Sequence, residues 1–558
     1  MKTQAEAYDI CRCYLEDNSS LLQPDLRLRL HGYIRARDAA RLAGASDLFN
    51  PQLHGLVEFR ILRQVSAFFK KNVDFSVDEA CRGAAILAFN EAEEQCRETN
   101  HRLDLCYAQQ GSMTPDLRLH VSRMEKQISR LLGNFDEFLA ILPETVKITS
   151  GASASRSRRH SLPPLKLRRR IECSSGAVPY LKALAKFYGY SSVRWATTPV
   201  NRVEFVPKNL KTHRTIACEP EGNIPLQLAF DAYMKKRLRR YFAVDLSSQV
   251  LNQELALEGS VSGEFATIDL SAASDTLAFN TVAWFLPKPW FDYVNAIRST
   301  HYVCPESNRF MRYQKFSSMG NGSTFSLETL IFAAAVRAVG SQRYAVYGDD
   351  IVIETKFVEP LTALLSFLGF TINKTKSYAS GPFRESCGTD WYNGENVTPF
   401  YLREWGRRKS ILSHNVNGLA AVSLPGGKLW QLLKALIIER QLALVPFNSD
   451  TMSGVFIDVQ ACYSKKLLRF RNWTPYFRAY LVKQPTRRIT DSRTLFLWHL
   501  DAYRGRHVIN NDMTERVSSR IPTLSHKYVR KWVRWILPPT GTPAHLYWWT
   551  DYVSGVSP

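Results

Sequence analysis

Two adjacent aspartates, Asp349 and Asp350, lie in a stretch whose pattern predicts a tight β-hairpin. Alternating apolar residues lead from Tyr344 to Gly348, and the β-branched run 351–353 leads away. Neighbouring carboxylates repel each other, so a fold that keeps both at one turn usually needs a cation between them. Hard oxygen ligands with no adjacent His or Cys favour magnesium. A polar Gly-Asp-Asp turn without function explains these residues equally well, so the rest of the sequence has to decide.

A third aspartate, Asp269, ends the strand-like run 265–268, and Asp275 follows six residues later. A helix N-terminus capped by Ser and Asp would explain Ser271 to Asp275, but not an acid at the end of an apolar strand. A buried carboxylate needs a partner. If this strand lies beside the hairpin, Asp269 joins the aspartate pair in one acidic site.

Three cations recur at three-residue intervals between a strand-like entry and a Glu-Pro pair: Lys208, Lys211 and Arg214. Together they can neutralise a triphosphate, and the fork of Arg214 suits two phosphate oxygens. A solvated basic stretch is the alternative interpretation.

A glycine-rich turn precedes an apolar helix predicted over 327–339. Gly320 and Gly322 let the backbone approach a ligand closely, while Asn321 and Thr324 offer the neutral donors and acceptors that read sugars and bases. We therefore predict RNA contacts for the glycines and Thr324. An ordinary helix cap is the alternative.

Residues 149–170 change abruptly to Ser, Gly, Pro and like charges, among them Arg156, Arg158 and Arg159. Such a segment has too little apolar surface to order itself, and its cations gain contacts only near a phosphate backbone. The composition predicts a mobile RNA-binding loop, and a flexible linker is the alternative.

Further elements follow from hydrophobic spacing. The chain reads as mostly helical to about residue 143, with later helices over 229–240 and 358–368 and a strand over 370–373. Near the C-terminus, Tyr528, Trp532 and Trp535 share one face of a predicted helix, which is more typical of a core stripe than of a base-stacking platform.

Composition narrows the class of partner. The 558 residues include 73 Lys plus Arg against 51 Asp plus Glu, a net charge of +22, which attracts polyanions and makes nucleic acid the expected partner. No apolar run reaches membrane-spanning length, and no signal peptide is recognisable, so we expect no membrane and a cytoplasmic location. Ten scattered cysteines without metal-ligand spacing predict reduced thiols.

Five segments in this order resemble the motifs of viral RNA-dependent RNA polymerases, more closely those of replicases of the single-stranded RNA bacteriophages, the leviviral group. They are Val206-Pro-Lys-Asn-x-Lys, Ala266-Thr-Ile-Asp-Leu-Ser-Ala-Ala-Ser-Asp275, Met319-Gly-Asn-Gly322, Tyr347-Gly-Asp-Asp350 and Phe383-Arg-Glu-Ser-Cys-Gly388. The resemblance covers about residues 203–403, and the two ends match loosely.

The resemblance implies an α+β fold, a right-hand polymerase with fingers, a palm of antiparallel sheet plus helices, and a thumb. It implies the following division: 1–148 helical N-terminal region and part of the fingers, 149–262 fingers, 263–400 palm, and 401–558 thumb and C-terminal region. The implied activity is RNA-templated RNA synthesis in the cytoplasm of an infected bacterium, with initiation that needs no primer.

The resemblance also implies roles for individual residues. Asp269, Asp349 and Asp350 would be catalytic and would bind two Mg²⁺ ions, with Mn²⁺ as a substitute. Lys376 would donate a proton to pyrophosphate, although Lys374 could substitute. The implied nucleotide-binding residues are Lys208, Lys211 and Arg214 for the triphosphate, and Asp275 and Asn321 for the ribose 2′-hydroxyl. Implied partners are RNA template and product, ribonucleoside triphosphates, host elongation factors Tu and Ts, and a host ribosomal protein.

Three other functions remain open. A reverse transcriptase shares the paired acids, but Gly348 and the polar Asp275 argue against it. A metal-dependent nuclease could use clustered acids without requiring the three cations. A basic RNA-packaging or scaffold protein would bind RNA and catalyse nothing.

Overall fold

The computed structural model describes residues 2–50, 53–108, 113–149, 151–156, 170–187, 193–406, 408–447, 449–458, 461–462, 466–471, 474–483, 486–488, 520–522 and 527–534. Its helices are α1 (Lys2–Asn18), α2 (Pro24–Arg35), α3 (Ala39–Ala43), α4 (Leu56–Lys70), α5 (Asp78–Tyr107), α6 (Pro115–Leu132), α7 (Phe135–Thr145), α8 (Val178–Phe187), α9 (Asn223–Phe242), α10 (Val250–Ser262), α11 (Phe279–Phe285), α12 (Lys288–Ala296), α13 (Thr324–Ala338), α14 (Val358–Phe367), α15 (Lys409–Val422) and α16 (Lys428–Arg440).

The strands are β1 (Ile171–Cys173), β2 (Trp195–Thr197), β3 (Val200–Pro207), β4 (His213–Cys218), β5 (Phe265–Ile268), β6 (Leu270–Ser271), β7 (His301–Val303), β8 (Phe310–Arg312), β9 (Tyr344–Tyr347), β10 (Asp350–Glu354), β11 (Thr371–Ile372), β12 (Phe383–Ser386), β13 (Thr389–Tyr392), β14 (Glu395–Asn396), β15 (Leu444–Pro446), β16 (Val455–Ile457), β17 (Leu468–Arg471), β18 (Thr474–Lys483), β19 (Thr486–Arg488), β20 (Arg520–Pro522) and β21 (Lys527–Arg534). Among the described residues, helices alone form the elements up to residue 145, and mainly antiparallel strands are interspersed with helices after that, which confirms the predicted α+β class.

The predicted hairpin, β9–β10, is part of a three-stranded antiparallel sheet in the order β5-β10-β9, with β10 as the central strand. Alternate residues face opposite sides. Phe265 and Val352 pack with Leu255 of α10 on one side, while Ile268 and Ile351 join the larger core on the other. Both faces are covered, and this explains why these strands are apolar throughout rather than alternating.

Helix α13 crosses the larger core. Almost every residue from Thr324 to Ala338 is buried, as expected for a helix that is apolar on all sides. It contacts α6, α9, α14 and strand β9. The helix therefore links the sheet to the helical layers around it.

A second core joins the two ends of the described chain. Buried residues of α1, α2 and α4 pack with those of α15, α16 and strands β15 to β18. Helix α16 is capped from a distance, because the Asp17 carboxylate on α1 accepts the N–H groups of Lys428 (2.7 Å) and Leu429 (2.9 Å). An acid at a helix N-terminus also complements the helix dipole.

Most predicted elements are confirmed, and one is wrong. The helices predicted over 229–240, 327–339 and 358–368 correspond to α9, α13 and α14. The helix predicted around Tyr528 and Trp532 is wrong, because 527–534 is strand β21, paired antiparallel with β18. β-branched and aromatic residues in that segment fit either structure, and pairing with a partner strand decides between them.

The structure also describes the state of the cysteines and the character of the helices. All ten cysteines are free thiols, as predicted. Among the described helices, none has the length and apolar character needed to cross a membrane.

The shared core makes a prediction about stability. Leu433 on α16 is fully buried in it, so Leu433→Ala is expected to lower the free energy of unfolding by about 2–5 kcal/mol through lost contacts and a cavity. Leu424, with 43% of its side chain exposed, is the matched control, and Leu424→Ala should change stability by about 0.5 kcal/mol or less. Urea denaturation of the two variants checks this; equal losses would contradict the burial.

Candidate active site

Strand pairing brings the three predicted aspartates to one end of the central sheet. Ile268 of β5 pairs with Ile351 of β10. The antiparallel register therefore places Asp269, one residue beyond β5, beside Asp350, the first residue of β10. Asp349 lies in the turn that joins β9 to β10. Acids that are distant in sequence thus become neighbours through a backbone ladder.

The turn that carries Asp349 depends on Gly348. This glycine has φ +62°, and a Cβ at this position would overlap the ring of Phe325. Its N–H donates to Thr329 Oγ1 at 3.2 Å. Phe325 and Thr329 both belong to α13, so the buried helix fixes the position of the turn.

Asp269 is held by the segment that follows α14. Its Oδ2 accepts from Asn373 Nδ2 at 2.9 Å and lies 3.4 Å from Lys376 Nζ, and its N–H donates to Ser377 Oγ at 3.0 Å. Burial raises the pKa of Asp269, the Lys376 ammonium opposes that rise, and the Asp349 charge adds to it.

Asp350 faces the turn between β12 and β13. The Cys387 N–H donates to its Oδ1 at 3.3 Å, and Asn252 Nδ2 on α10 donates to its backbone oxygen at 3.1 Å. Burial, followed by the charge of Asp349, raises the pKa of Asp350 to about 6. The site therefore carries more negative charge than its own hydrogen bonds compensate.

The donor set fits a hard divalent cation. Three carboxylates meet at one sheet end, and two of them have pKa values raised in part by a neighbouring acid, a repulsion that a cation would relieve. Within the described part of the chain, no group of three or more His, Cys, Asp or Glu side chains is arranged so that it could hold a metal ion as it stands. The carboxylate chemistry suits a hard divalent cation, but Asp269 is paired with Lys376 in this arrangement, and Mg²⁺ at this site stays a prediction.

The β3–β4 hairpin carries the three predicted cations, Lys208, Lys211 and Arg214. Of these, Lys208, the residue after β3, feels the charges of Asp349 and Asp269. Partial burial and the neighbouring cations Arg214 and Lys376 lower the pKa of Lys208, while Asp349 and Asp269 oppose that change. Lys208 therefore lies close enough to Asp349 and Asp269 for their charges to act on its ammonium. Arg214 lies opposite Val206 in the β3–β4 ladder and is exposed.

Lys211 is an exposed residue in the loop between β3 and β4. Its backbone N–H donates to Asn209 Oδ1 at 2.8 Å, so the loop is shaped by an Asx turn. Of the two lysines considered as proton donors, Lys376 makes the ion pair with Asp269.

The glycine-rich turn packs on protein rather than on open space. Gly320 has φ +111°, and a Cβ there would overlap the carbonyl oxygen of Ala217, whose N–H donates to Met319 O at 2.8 Å. The Gly322 N–H donates to Gln227 Oε1 at 2.9 Å. The close approach expected from the glycines is therefore to strand β4 and helix α9.

The polar residues of this turn are largely buried. Asn321 Oδ1 accepts from the N–H (2.9 Å) and hydroxyl (2.7 Å) of Ser323. Thr324 Oγ1 donates to Ser318 O at 3.0 Å. Both side chains thus shape the turn, and their predicted ligand roles stay predictions.

The basic loop is described only at its edges. Arg156 Nε lies 3.5 Å from Glu221 Oε1, and Arg156 Nη2 donates to Arg170 O at 3.3 Å. Its guanidinium therefore anchors the start of the loop. Arg158 and Arg159 lie outside the described residues.

Residues 35–417 match the family described as RNA replicase, beta-chain. The chain belongs to this family. The RNA-directed RNA polymerase subunit beta of Enterobacteria phage SP is 37% identical over 379 residues, which cover 65% of this chain and 64% of that relative. The RNA-directed RNA polymerase beta chain of Enterobacteria phage fr is 32% identical over 402 residues, 69% of this chain and 70% of that one.

The predicted resemblance to phage replicases is thus confirmed. The match to the SP relative and to the Qbeta relative spans 64% and 61% of their lengths. Among solved structures, the RNA-dependent RNA polymerase of BmCPV at elongation state aligns with TM-score 0.38 and 11% identity over 58% of this chain and 33% of that one.

Two buried acids of this replicase chain, Glu219 and Glu328, hold elements around the site. Neither was predicted from the sequence. Glu219 is buried and accepts hydrogen bonds from side chains or backbone of Asn201, Asn223, Gln227 and Ser299. In the sequence, Glu219 stands only at the end of a basic stretch, and nothing in its neighbours signals such a network. It supports the same Gln227 that holds the glycine-rich turn.

The second is Glu328, the single acid on α13. Its Oε2 accepts from Ser274 Oγ at 2.6 Å. Burial raises the pKa of Glu328 to about 8, the Ser274 hydrogen bond opposes this, and the charges of Asp349 and Asp275 add to it. An isolated acid within an apolar helix is a signal that could have identified it.

Glu328 makes a pH-dependent prediction. Its folded-state pKa of about 8 exceeds its ordinary 4.5, so the folded chain keeps a proton that the unfolded chain releases, and stability falls as the pH rises from about 5 to 8. Glu328→Gln keeps an acceptor for Ser274 and removes this contribution, up to about 1.4 kcal/mol per pH unit. Urea denaturation at several pH values checks this, and parallel profiles for both proteins would contradict it.

Proposed function

We propose that this replicase chain is an RNA-directed RNA polymerase of an RNA phage, joining ribonucleoside triphosphates on an RNA template. The observation that carries the proposal is the β5–β10 register, which sets Asp269 beside Asp349 and Asp350, with Lys208 in the same electrostatic environment. The relatives from phages SP and fr are named RNA-directed RNA polymerases, in agreement with this chemistry.

The right-hand arrangement follows from the same elements. The β5-β10-β9 sheet between α10 and α13 would form the palm, and the β3–β4 hairpin would belong to the fingers. Helices α15 and α16, on which the N-terminal helices pack, would belong to the thumb. The boundaries at 148, 262 and 400 stay predictions.

The three aspartates would hold two Mg²⁺ ions, or Mn²⁺ in their place. When bound, such ions supply charge stabilisation at the attacking 3′-hydroxyl and the leaving pyrophosphate.

The chain's own cations complete the charge balance. Lys208, Lys211 and Arg214 would contact the triphosphate, whose negative charge exceeds that of a monophosphate product. Lys376 Nζ, already 3.4 Å from Asp269 Oδ2, would give a proton to the developing pyrophosphate oxygen.

The remaining site residues would recognise the substrates. Asp275 and Asn321 would read the ribose 2′-hydroxyl, which is both donor and acceptor. RNA would contact the glycine-rich turn and the basic loop through Gly320, Gly322, Thr324, Arg156, Arg158 and Arg159. The net charge of +22 supports binding to an RNA backbone.

The proposal extends to assembly and location. The word beta in the relatives' names indicates other subunits, and we propose host elongation factors Tu and Ts and a host ribosomal protein as partners in the cytoplasm of the infected bacterium. Initiation without a primer belongs to the same proposal. The three alternative functions explain fewer of these residues. A nuclease would not require the cations Lys208, Lys211 and Arg214, and a reverse transcriptase would not require the polar Asp275. An RNA-packaging protein would not require clustered acids.

Asp349→Asn tests the chemistry. Removing one carboxylate charge from the site is expected to abolish incorporation of labelled ribonucleotides on an RNA template with host proteins present. Salt-sensitive RNA binding should stay within about twofold, because the phosphate contacts come from cations. Asp292→Asn, at an exposed acid of α12 paired with Lys288, is the control and should retain synthesis. Wild-type synthesis by the Asp349 variant would exclude the proposal.

A pair of variants separates the two lysines. Lys376→Met is expected to lower kcat by about 10²-fold or more, as for loss of a general acid, whereas Lys374→Met should change it by less than about threefold. Single-turnover incorporation rates measure both. The reverse order would assign the proton donor to Lys374.

A further inference from the structure

A buried lysine outside the aspartate site contacts one of the residues assigned to the ribose. Lys315 is fully buried. Its Nζ lies 2.8 Å from Asp275 Oδ1 and 3.6 Å from Glu93 Oε1, and 4.1 Å from the ring centre of Phe89. It cannot reach a nucleotide itself, so any effect on the reaction has to pass through Asp275.

The backbone around Lys315 is held on two sides. The Gln314 N–H donates to Glu93 Oε2 at 2.7 Å, and the Gln314 carbonyl accepts from Asn100 Nδ2 at 2.8 Å. Both partners belong to α5. Lys315 also forms a β-bridge with Ala278, three residues beyond Asp275. The lysine is therefore fixed relative to the same turn that carries the acid.

Stability alone is a weak reason for this arrangement. One cation faces two carboxylates, and burying charges costs free energy that an apolar side chain would not need. A methionine could pack against Phe89 and Tyr313 in the same space. The pKa of Lys315 is raised because Asp275 and Glu93 outweigh the effect of burial, so the ammonium stays charged between them.

The contact with Lys315 gives the two carboxylate oxygens of Asp275 different surroundings. Oδ1 is bound to the ammonium, and among the described residues no hydrogen bond is made to Oδ2. The Asp275 side chain keeps 24% of its surface exposed, whereas Lys315 keeps none. The inner oxygen is thus anchored, and the outer oxygen is the acceptor available to a hydroxyl.

We propose that Lys315 is a positioning residue for sugar selection: it fixes the Asp275 carboxylate so that Oδ2 accepts a hydrogen bond from the ribose 2′-hydroxyl. The proposal rests on the proposed role of Asp275 in reading the ribose. Glu93 holds the backbone N–H of Gln314 and faces the ammonium at 3.6 Å, but the anchor of the Asp275 carboxylate is the ammonium itself. A 2′-deoxynucleotide has no hydroxyl for this contact, so the effect appears as discrimination between sugars.

The test measures the ratio of kcat/KM for a ribonucleoside triphosphate over its 2′-deoxy analogue, using the full chain with its co-purified host proteins. Lys315→Met is expected to lower this ratio by about tenfold, and Lys315→Arg, which keeps the charge, by less. Glu93→Gln keeps the Lys315–Asp275 pair and should leave the ratio within about twofold, even if it lowers stability. An equal loss with both nucleotides in Lys315→Met would overturn the proposal and leave Lys315 a structural residue.

A second variant covers failure of Lys315→Met to fold. The double change Glu93→Gln with Lys315→Met keeps the buried net charge unchanged, and it is expected to show the same lowered ratio. An unchanged ratio in that variant overturns the proposal. Asp275→Ala distinguishes failure of the Lys315 proposal from failure of the Asp275 proposal. If Asp275→Ala leaves the ratio unchanged, the assignment of Asp275 to the ribose is wrong. If it lowers the ratio and adding Lys315→Met lowers it no further, both proposals are supported.

Discussion

Repulsion between carboxylates is the constraint on which this structure depends. The β5–β10 ladder forces Asp269 and Asp350 together, and the turn at Gly348 adds Asp349. The energy that holds them comes from elsewhere: apolar burial on both faces of the sheet and the packing of α13 behind the turn. Because the surrounding packing keeps the carboxylates together despite their repulsion, the site attracts cations, such as a lysine ammonium of the chain or a metal ion from solution.

The parts of the site that could be predicted from sequence are those with local patterns. Alternating and β-branched residues around Gly348 identified the hairpin, and an acid at the end of an apolar run identified Asp269. Their meeting required a register, which two-residue periodicity makes specific once both faces are buried. The hairpin, the main helices and the α+β class were all accessible in this way.

What sequence could not give are contacts whose partners are far apart in the chain. Nothing near Lys315 signals that its ammonium meets Glu93 and Asp275, and nothing near Glu219 signals its donors. The packing of Gly320 on β4 and the Gln227 contact of Gly322 on α9 are of the same kind, because a turn near a ligand and a turn packed on another element need the same residue type. Strand β21 was mistaken for a helix, since aromatic spacing alone does not reveal a pairing strand.

The union of α1, α2 and α4 with α15 and α16 also affects how the chain is made. The helices in the first 70 residues pack on one another, but they cannot complete the burial of their apolar faces until a segment beyond residue 400 has left the ribosome. During that interval the nascent N-terminal helices expose Leu and Phe side chains that later lie in the shared core, and contacts of such high sequence separation close slowly. Synthesis is therefore a stage at which apolar surface of this chain is exposed to aggregation.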